Sequence, residues 1–190
     1  MKAAKPRNEA ARLEALRQYN VLDTEAEQSF DDLTFLASQI CGTPIALITL
    51  VDEDRQWFKS VVGFPARETS RDVSFCAHAI LQAGPTFVRD ALDDERFADN
   101  PLVTSAPHIR FYAGTPLVTP EGFPLGTLCV IDCVPRDLKP TQIEALRALG
   151  RQVMAQLELR REVAFLRRAL ERHKRAEEDL KARLDPKAED

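Results

Sequence analysis

The chain has 190 residues, of which 44% are hydrophobic, enough for one globular domain with a buried core and an appendage. Its formal net charge is −4, and its basic residues alternate with acidic ones, so the basic stripe that nucleic acids require is missing. The longest apolar run, residues 45–51, is too short to cross a bilayer, and no apolar segment follows the basic N-terminus. We expect a cytoplasmic protein that binds neither nucleic acid nor membrane.

The first half of the chain changes its hydrophobic period once. Helical spacing predicts a leading helix over residues 8–19 and a second helix over 25–41, which Gly42 ends as a left-handed cap. The period then becomes two, and residues 45–51 and 56–62 are predicted to form a hairpin. The first of these strands is apolar on both faces, which is typical of a strand at the centre of a sheet.

The second half repeats this pattern after a loop-rich insertion. A short helix over 73–82 and a short strand over 85–89 precede an irregular stretch, 91–110, of the length that is usually functional in a compact domain. A second hairpin is predicted over 111–119 and 124–132. Strands grouped between helices indicate an α+β fold with an antiparallel sheet.

A long helix is predicted from Pro140 to Leu184. At 1.5 Å per residue it would be about 65–70 Å long, whereas a domain of this size is about 40 Å across, so roughly its second half must project. An alternating three-and-four seam runs along that half, interrupted by polar His173 and Glu177. Its apolar positions are Leu159, Val163, Leu166, Leu170, Leu180 and Leu184. We predict a homodimer through this seam; the alternative is a single helix that folds back as a hairpin.

Five blocks in a fixed order carry a resemblance to a known family. They are IALITLVDEDRQWFKSVVG (45–63), ETSRDVSFCAHAI (68–80), DERFADNPLV (94–103), IRFYAGTPL (109–117) and LGTLCVID (125–132). The chain resembles a bacterial GAF domain of the sensor subtype found N-terminal to histidine kinases and diguanylate cyclases. The resemblance implies a six-stranded antiparallel sheet with helices on both faces and a ligand pocket under the loop-rich insertion. We expect a helix and connector in 1–24, the GAF domain in 25–158, and a projecting coiled-coil helix and tail in 159–190.

The cofactor-binding and catalytic subtypes of this family have motifs that this sequence lacks. Bilin-carrying members attach the chromophore to a cysteine directly followed by histidine, whereas Ala77 separates Cys76 from His78. Free methionine sulfoxide reductases of this fold have a reactive cysteine in a loop where this chain reads TSAPHIRFY (104–112). The motifs support neither bilin, haem nor zinc, and the cofactor is unknown.

The segment SFCAHAI (74–80) has several interpretations. Cysteine and histidine are suitable zinc ligands, but residues two apart on a helix point in different directions. Cys76 is also a candidate thiol nucleophile. However, the loop-rich insertion that would cover the pocket, here called the roof loop, offers no obvious resolving cysteine. A third interpretation is a core cysteine beside a hydrogen-bonded histidine. The four cysteines form no CxxC pair and lie in apolar contexts, so we expect reduced thiols: Cys41, Cys76, Cys129 and Cys133.

A ligand pocket is expected to combine apolar walls with a few polar anchors. Its candidate residues are Trp57, Phe75, Cys76, His78, Asp90, Asn100, Arg110 and Tyr112. Arg110 has the chemistry to hold a carboxylate or phosphate, or alternatively to form a surface ion pair with Asp94, Glu95 or Asp99. Trp57 is a wall or a core residue, and Asp90 and Asn100 are ligand contacts or turn and capping residues.

These observations predict a non-enzymatic sensor or regulatory module of bacterial signal transduction. It would bind an unidentified small molecule and act on a separate signalling protein through its dimeric helix. The alternatives are a thiol-based reductase using Cys76 and a dimerisation scaffold with no ligand.

Overall fold

The computed structural model describes the backbone of residues 2–184 and the side chains of residues 2–181. Its helices are α1 (Glu9–Gln18), α2 (Gln28–Cys41), α3 (Phe75–Ala79), α4 (Pro101–Thr104) and α5 (Pro140–Leu184). Its strands are β1 (Ile45–Val51), β2 (Arg55–Val62), β3 (Glu68–Ser70), β4 (Thr86–Val88), β5 (Phe111–Val118) and β6 (Pro124–Asp132).

The six strands form one antiparallel sheet in the order β3-β2-β1-β6-β5-β4. This confirms the predicted fold class. Every residue of β1 is buried, as expected for a strand with two neighbours and two covered faces. β3 lies between the predicted strand over 56–62 and the predicted helix over 73–82, where no strand was expected, and three residues are too few for a period-two pattern to be recognised.

The helices agree with the sequence in position but not always in length. Gly42 ends α2 with φ of 66°, a left-handed conformation that costs glycine little. The predicted helix over residues 73–82 is shorter, because α3 begins only after its N-cap Ser74, whose side chain accepts a hydrogen bond from Ala77 N. The irregular stretch contains one further turn of helix, α4, capped by Asn100.

The sheet separates two hydrophobic cores. α1, α2 and α5 pack on one face, here called the helix side, and α3 with the loops around α4 covers the other, here called the roof side. Because strand side chains alternate, Leu50 and Trp57 belong to the helix-side core and their neighbours Val51 and Phe58 to the roof-side core. None of the helices within residues 2–184 combines the length and apolar composition that a bilayer span needs.

α1 is attached to the domain by a buried charged cluster. Both Arg12 and Arg71 donate hydrogen bonds to the Glu9 carboxylate, and Arg71 also donates to Asp52 O at 2.9 Å. Burial by itself would raise the pKa of Glu9, but the hydrogen bonds and charges of the two arginines outweigh it and lower that pKa to about 2. Glu9 is therefore ionised at neutral pH and compensates buried positive charge.

α5 packs on the sheet with its first half only. Gly150 lies so close to β5 that a Cβ there would be 2.5 Å from Thr115 Cγ2. Leu146, Val153 and Leu157 are buried, whereas the large apolar side chains that follow within the described residues are exposed: Leu159, Val163, Phe165, Leu166, Leu170 and Leu180. The second half of α5 thus projects from the domain, as the helix length predicted.

A group of polar contacts, here called the neck, surrounds the point where α5 leaves the domain. Glu27 Oε1 accepts from Lys59 Nζ of β2 at 2.6 Å and from Arg160 Nε of α5 at 2.8 Å. Arg160 also donates to the carbonyl oxygens of Tyr19 and Asn20 at 3.1 and 2.8 Å. The neck connects the sheet, the α1–α2 connector and α5.

Candidate functional site

The roof side of the sheet contains most of the predicted pocket residues, but their side chains fill the space between sheet and roof. The rings of Phe75 and Phe97 stack with centroids 4.0 Å apart, and Tyr112 lies 5.4 Å from Phe75. All three are nearly or fully buried. His78 is half-buried and meets the Phe97 ring edge-on at 4.9 Å. Aromatic side chains therefore pack against one another in the region where the ligand pocket was expected.

Cys76 lies beneath these rings in a buried polar cluster. Thr127 Oγ1 donates to Cys76 Sγ at 3.0 Å and the Tyr112 hydroxyl donates at 3.4 Å, while Cys129 Sγ lies 3.8 Å away. Thr49 Oγ1 is 3.2 Å from Thr127 Oγ1. We call these five residues the thiol cluster. It joins α3 to the three strands β1, β5 and β6 at the centre of the domain.

The thiol cluster shifts the pKa values of its members in opposite directions. Burial by itself raises the pKa of Cys76, but hydrogen bonds from Cys129, Thr127, Thr49 and Tyr112 outweigh it and lower that pKa to about 7. Burial, together with the neighbouring Cys76, raises the pKa values of Cys129 and Tyr112 well above their ordinary range. Cys76 is therefore the more readily ionised of the two thiols.

Trp57 is not part of this site. It lies in the helix-side core, on the opposite face of the sheet from Phe75, Cys76 and Tyr112. The reason is the alternation of β2, in which Phe58 and not Trp57 faces the roof. Trp57 is therefore a core residue, which was one of its two predicted roles, and not a wall of the pocket.

The polar candidates hold the roof together. Arg110 forms a two-pronged pair with Asp90, with Nε to Oδ1 at 2.6 Å, and not with the acidic residues of 94–99 that the sequence suggested. Hydrogen bonding to Arg110 lowers the pKa of Asp90. Asn100 accepts from Leu102 N at 2.9 Å and donates to Val73 O at 3.0 Å. Asp90 and Asn100 thus take the turn and capping roles that were their alternative.

The structure separates the residues of the conjectured zinc site. Cys76 points into the core and His78 is half-buried against Phe97, whereas Cys133 is exposed and donates to Pro107 O at 3.0 Å. Within the part of the chain that the structure describes, no group of three or more His, Cys, Asp or Glu side chains is arranged to hold a metal ion.

The second thiol beside Cys76 was not predicted from the sequence. A resolving cysteine would have been expected in the roof loop, but the second thiol is Cys129, in the middle of β6. The alternation of β6 contained the signal, because Thr127, Cys129 and Ile131 have the period of two that puts them on one face. The sequence pattern did not predict that α3 would place Cys76 over this face.

Comparisons with known proteins agree with this fold. The family model of the GAF domain matches residues 25–157. A cyclic di-GMP phosphodiesterase of Pseudomonas aeruginosa is 41% identical over 182 residues, which cover 94% of this chain. The chain spans 31% of the length of that relative.

Solved structures with low sequence identity show the same fold. The GAF domain of an Acinetobacter phosphoenolpyruvate-protein phosphotransferase has a TM-score of 0.59 at 17% identity, covering 81% of this chain and 97% of that one. A free methionine-R-sulfoxide reductase of Neisseria meningitidis has a TM-score of 0.58 at 16% identity, covering 86% and 98%. The fold thus occurs both in the GAF domain of a phosphotransferase and in a methionine sulfoxide reductase. The match over 25–157 and the six-stranded sheet together show that this chain belongs to the GAF domain family.

Proposed function

We propose that this chain is a regulatory GAF module of bacterial signal transduction that controls cyclic di-GMP turnover through a dimeric C-terminal helix. The similarity to a cyclic di-GMP phosphodiesterase extends over 94% of the chain and so includes most of α5 as well as the domain. Because both the helix and the domain match that relative, we expect this chain to control the same type of reaction, the turnover of cyclic di-GMP.

The exposed seam of α5 is the observation that carries the proposal. Five of its six apolar positions lie on described side chains, and their exposed fractions are 54% at Leu159, 36% at Val163, 63% at Leu166, 55% at Leu170 and 57% at Leu180. The side chain of the sixth, Leu184, lies outside the described residues. Spacings of three and four are those of a coiled coil, and a second α5 would remove these side chains from water.

The polar seam residues suit a helix that transmits a signal. His173 and Glu177 are exposed and occupy seam positions among leucines. Polar groups at such positions cost stability and influence register, so the distal coil would be weaker than an all-leucine coil. A marginal coil responds to small changes at the neck.

The oligomeric state tests the proposal directly. We expect the full chain to sediment at twice the mass of one chain, and Leu166→Glu with Leu170→Glu to sediment as a monomer. The matched control is Arg168→Glu with Arg175→Glu, which changes the charge at least as much but off the seam, and it should remain a dimer. A wild-type monomer, or equal dissociation in both double variants, would refute the role of α5.

One observation favours a second candidate function, a dimerisation scaffold without a ligand. The rings of Phe75, Phe97 and Tyr112 pack against one another in the region where the sequence predicted a ligand pocket. A thermal-shift screen with small metabolites separates the two functions. A ligand at 100 times its Kd adds about 2.7 kcal/mol to the folded state, a clear rise in melting temperature. No shift with any cyclic nucleotide, amino acid or organic acid would favour the scaffold.

A further inference from the structure

The thiol cluster brings together two cysteines that are 53 residues apart in the sequence. Cys76 Sγ of α3 and Cys129 Sγ of β6 are 3.8 Å apart. The other two cysteines are placed differently: Cys41 is buried in the helix-side core, and Cys133 is exposed. Only modest motion separates the Cys76–Cys129 pair from bonding distance, since a disulfide has an S–S length of about 2.05 Å.

Hydroxyl groups converge on one sulfur of this pair. Thr127 and Tyr112 both donate to Cys76 Sγ, and Gly114 makes room for the second donor. A Cβ at Gly114 would be 2.2 Å from the Tyr112 hydroxyl oxygen. Donors directed at a sulfur stabilise its thiolate, which is the form that reacts with electrophiles. The cluster therefore distinguishes an attacking thiol, Cys76, from a resolving thiol, Cys129.

We propose that Cys76 and Cys129 form a two-thiol redox site that reduces hydrogen peroxide. The Cys76 thiolate attacks one peroxide oxygen, the O–O bond breaks, and the departing hydroxide takes the proton released by Cys76 to become water. Cys76 is then a sulfenic acid. The Cys129 thiol attacks its sulfur, an S–S bond forms, and the sulfenic oxygen leaves as a second water. One peroxide and two thiols give one disulfide and two waters.

Burial determines which oxidants can use this site. Both cysteines are almost fully buried in the same hydrophobic core as Phe75 and Phe97, so an oxidant must be close to water in size or wait for the roof to open. Bulky disulfides and aromatic thiol reagents should react slowly in the folded protein. The resulting disulfide would attach α3 to β6, a strand that also packs against α5. This inference does not depend on the dimer.

Peptide mass spectrometry of the full chain tests the site. Cys129 and Cys133 lie in the same tryptic peptide, residues 111–136, so a Cys133→Ser background is used. The folded protein is exposed to hydrogen peroxide, quenched with catalase, denatured in N-ethylmaleimide and digested without reduction. The expected product is peptide 72–89 linked to peptide 111–136, with Cys41 still alkylated.

Two further variants keep the result interpretable. In Cys129→Ser the link should disappear, and dimedone added together with the denaturant should trap a sulfenic acid on Cys76. In Cys76→Ser, Cys129 should remain a free thiol. The Cys133→Ser background changes only an exposed residue, so the primary result does not depend on whether the core variants fold. Full alkylation of Cys76 and Cys129, at a peroxide dose that oxidises Cys133 in the wild type, would overturn the proposal. A link that forms only in urea would also overturn it.

Discussion

Glu27 compensates the positive charge of two basic residues at the neck, and replacing it with glutamine tests how firmly α5 is held there. The side chain of Lys59 is 0% exposed and that of Arg160 is 24% exposed, while Glu27 itself is 37% exposed. Removing one partner of a buried ion pair costs about 3–5 kcal/mol, because the other charge stays buried. Replacing Glu27 should therefore destabilise the protein mainly because the buried Lys59 loses its charged partner.

The remaining contacts of Lys59 reduce that cost. Its Nζ still donates to Glu25 O at 2.7 Å and to Thr24 Oγ1 at 3.0 Å, and the glutamine amide oxygen can accept one bond. We expect Glu27→Gln to lower the free energy of unfolding by about 2 kcal/mol. In a Lys59→Met background only the partly exposed pair with Arg160 is lost, so the same change should cost about 0.5 kcal/mol.

Urea unfolding at one protein concentration measures both values. Glu25→Gln removes the same charge from an exposed side chain two residues away, and it should change stability by less than about 0.5 kcal/mol. The coupling between Glu27 and Lys59 in the double-mutant cycle should be about 1.5 kcal/mol. Equal losses in the wild-type and Lys59→Met backgrounds would show that Lys59 does not depend on Glu27, and the reasoning about the neck would fail.

Two further predictions concern parts of the fold that position the site. The folded-state pKa of Glu9 lies below its unfolded value, so its contribution to stability is complete above about pH 4.5 and declines as pH falls toward 2. Glu9→Gln should therefore lower the free energy of unfolding by about 1–2 kcal/mol at pH 7 and by clearly less at pH 3. A stability difference between wild type and variant that grows as the pH falls would contradict this. Gly126→Ala places a Cβ 1.8 Å from Thr49 O and should cost more than about 3 kcal/mol or prevent folding, whereas Gly84→Ala, with open space around it, should be nearly neutral in thermal unfolding.

Most of the architecture was predictable because its signals are local. β1 has six apolar residues among its seven, α2 has an apolar stripe that ends at a glycine, and the length of α5 alone required it to project. β3 was missed because three residues carry no usable period. The sixth strand was expected only from the family resemblance.

The candidate site was predicted less well, because its members depend on which face of the sheet each side chain occupies. Trp57 and Phe75 were assigned to one pocket, yet they lie on opposite faces. Arg110 was interpreted as a ligand anchor or, alternatively, as an ion-pair partner within 94–99. It pairs with Asp90, since the carbonyl of Arg110 accepts from Ala91 N and brings the two segments together. Strand register and loop path, not residue type, decided both outcomes.

By itself, then, the amino-acid order determined the α+β class, the central strand and the seam of α5, since periodicity acts between residues within one or two turns of each other. The tertiary structure alone decided that Cys76 meets Cys129, that aromatic rings fill the roof side, and that Glu27 lies between Lys59 and Arg160. These contacts join residues 22 to 133 positions apart, and their formation depends on how α3, β2 and α5 pack against the sheet. No local pattern encodes that packing.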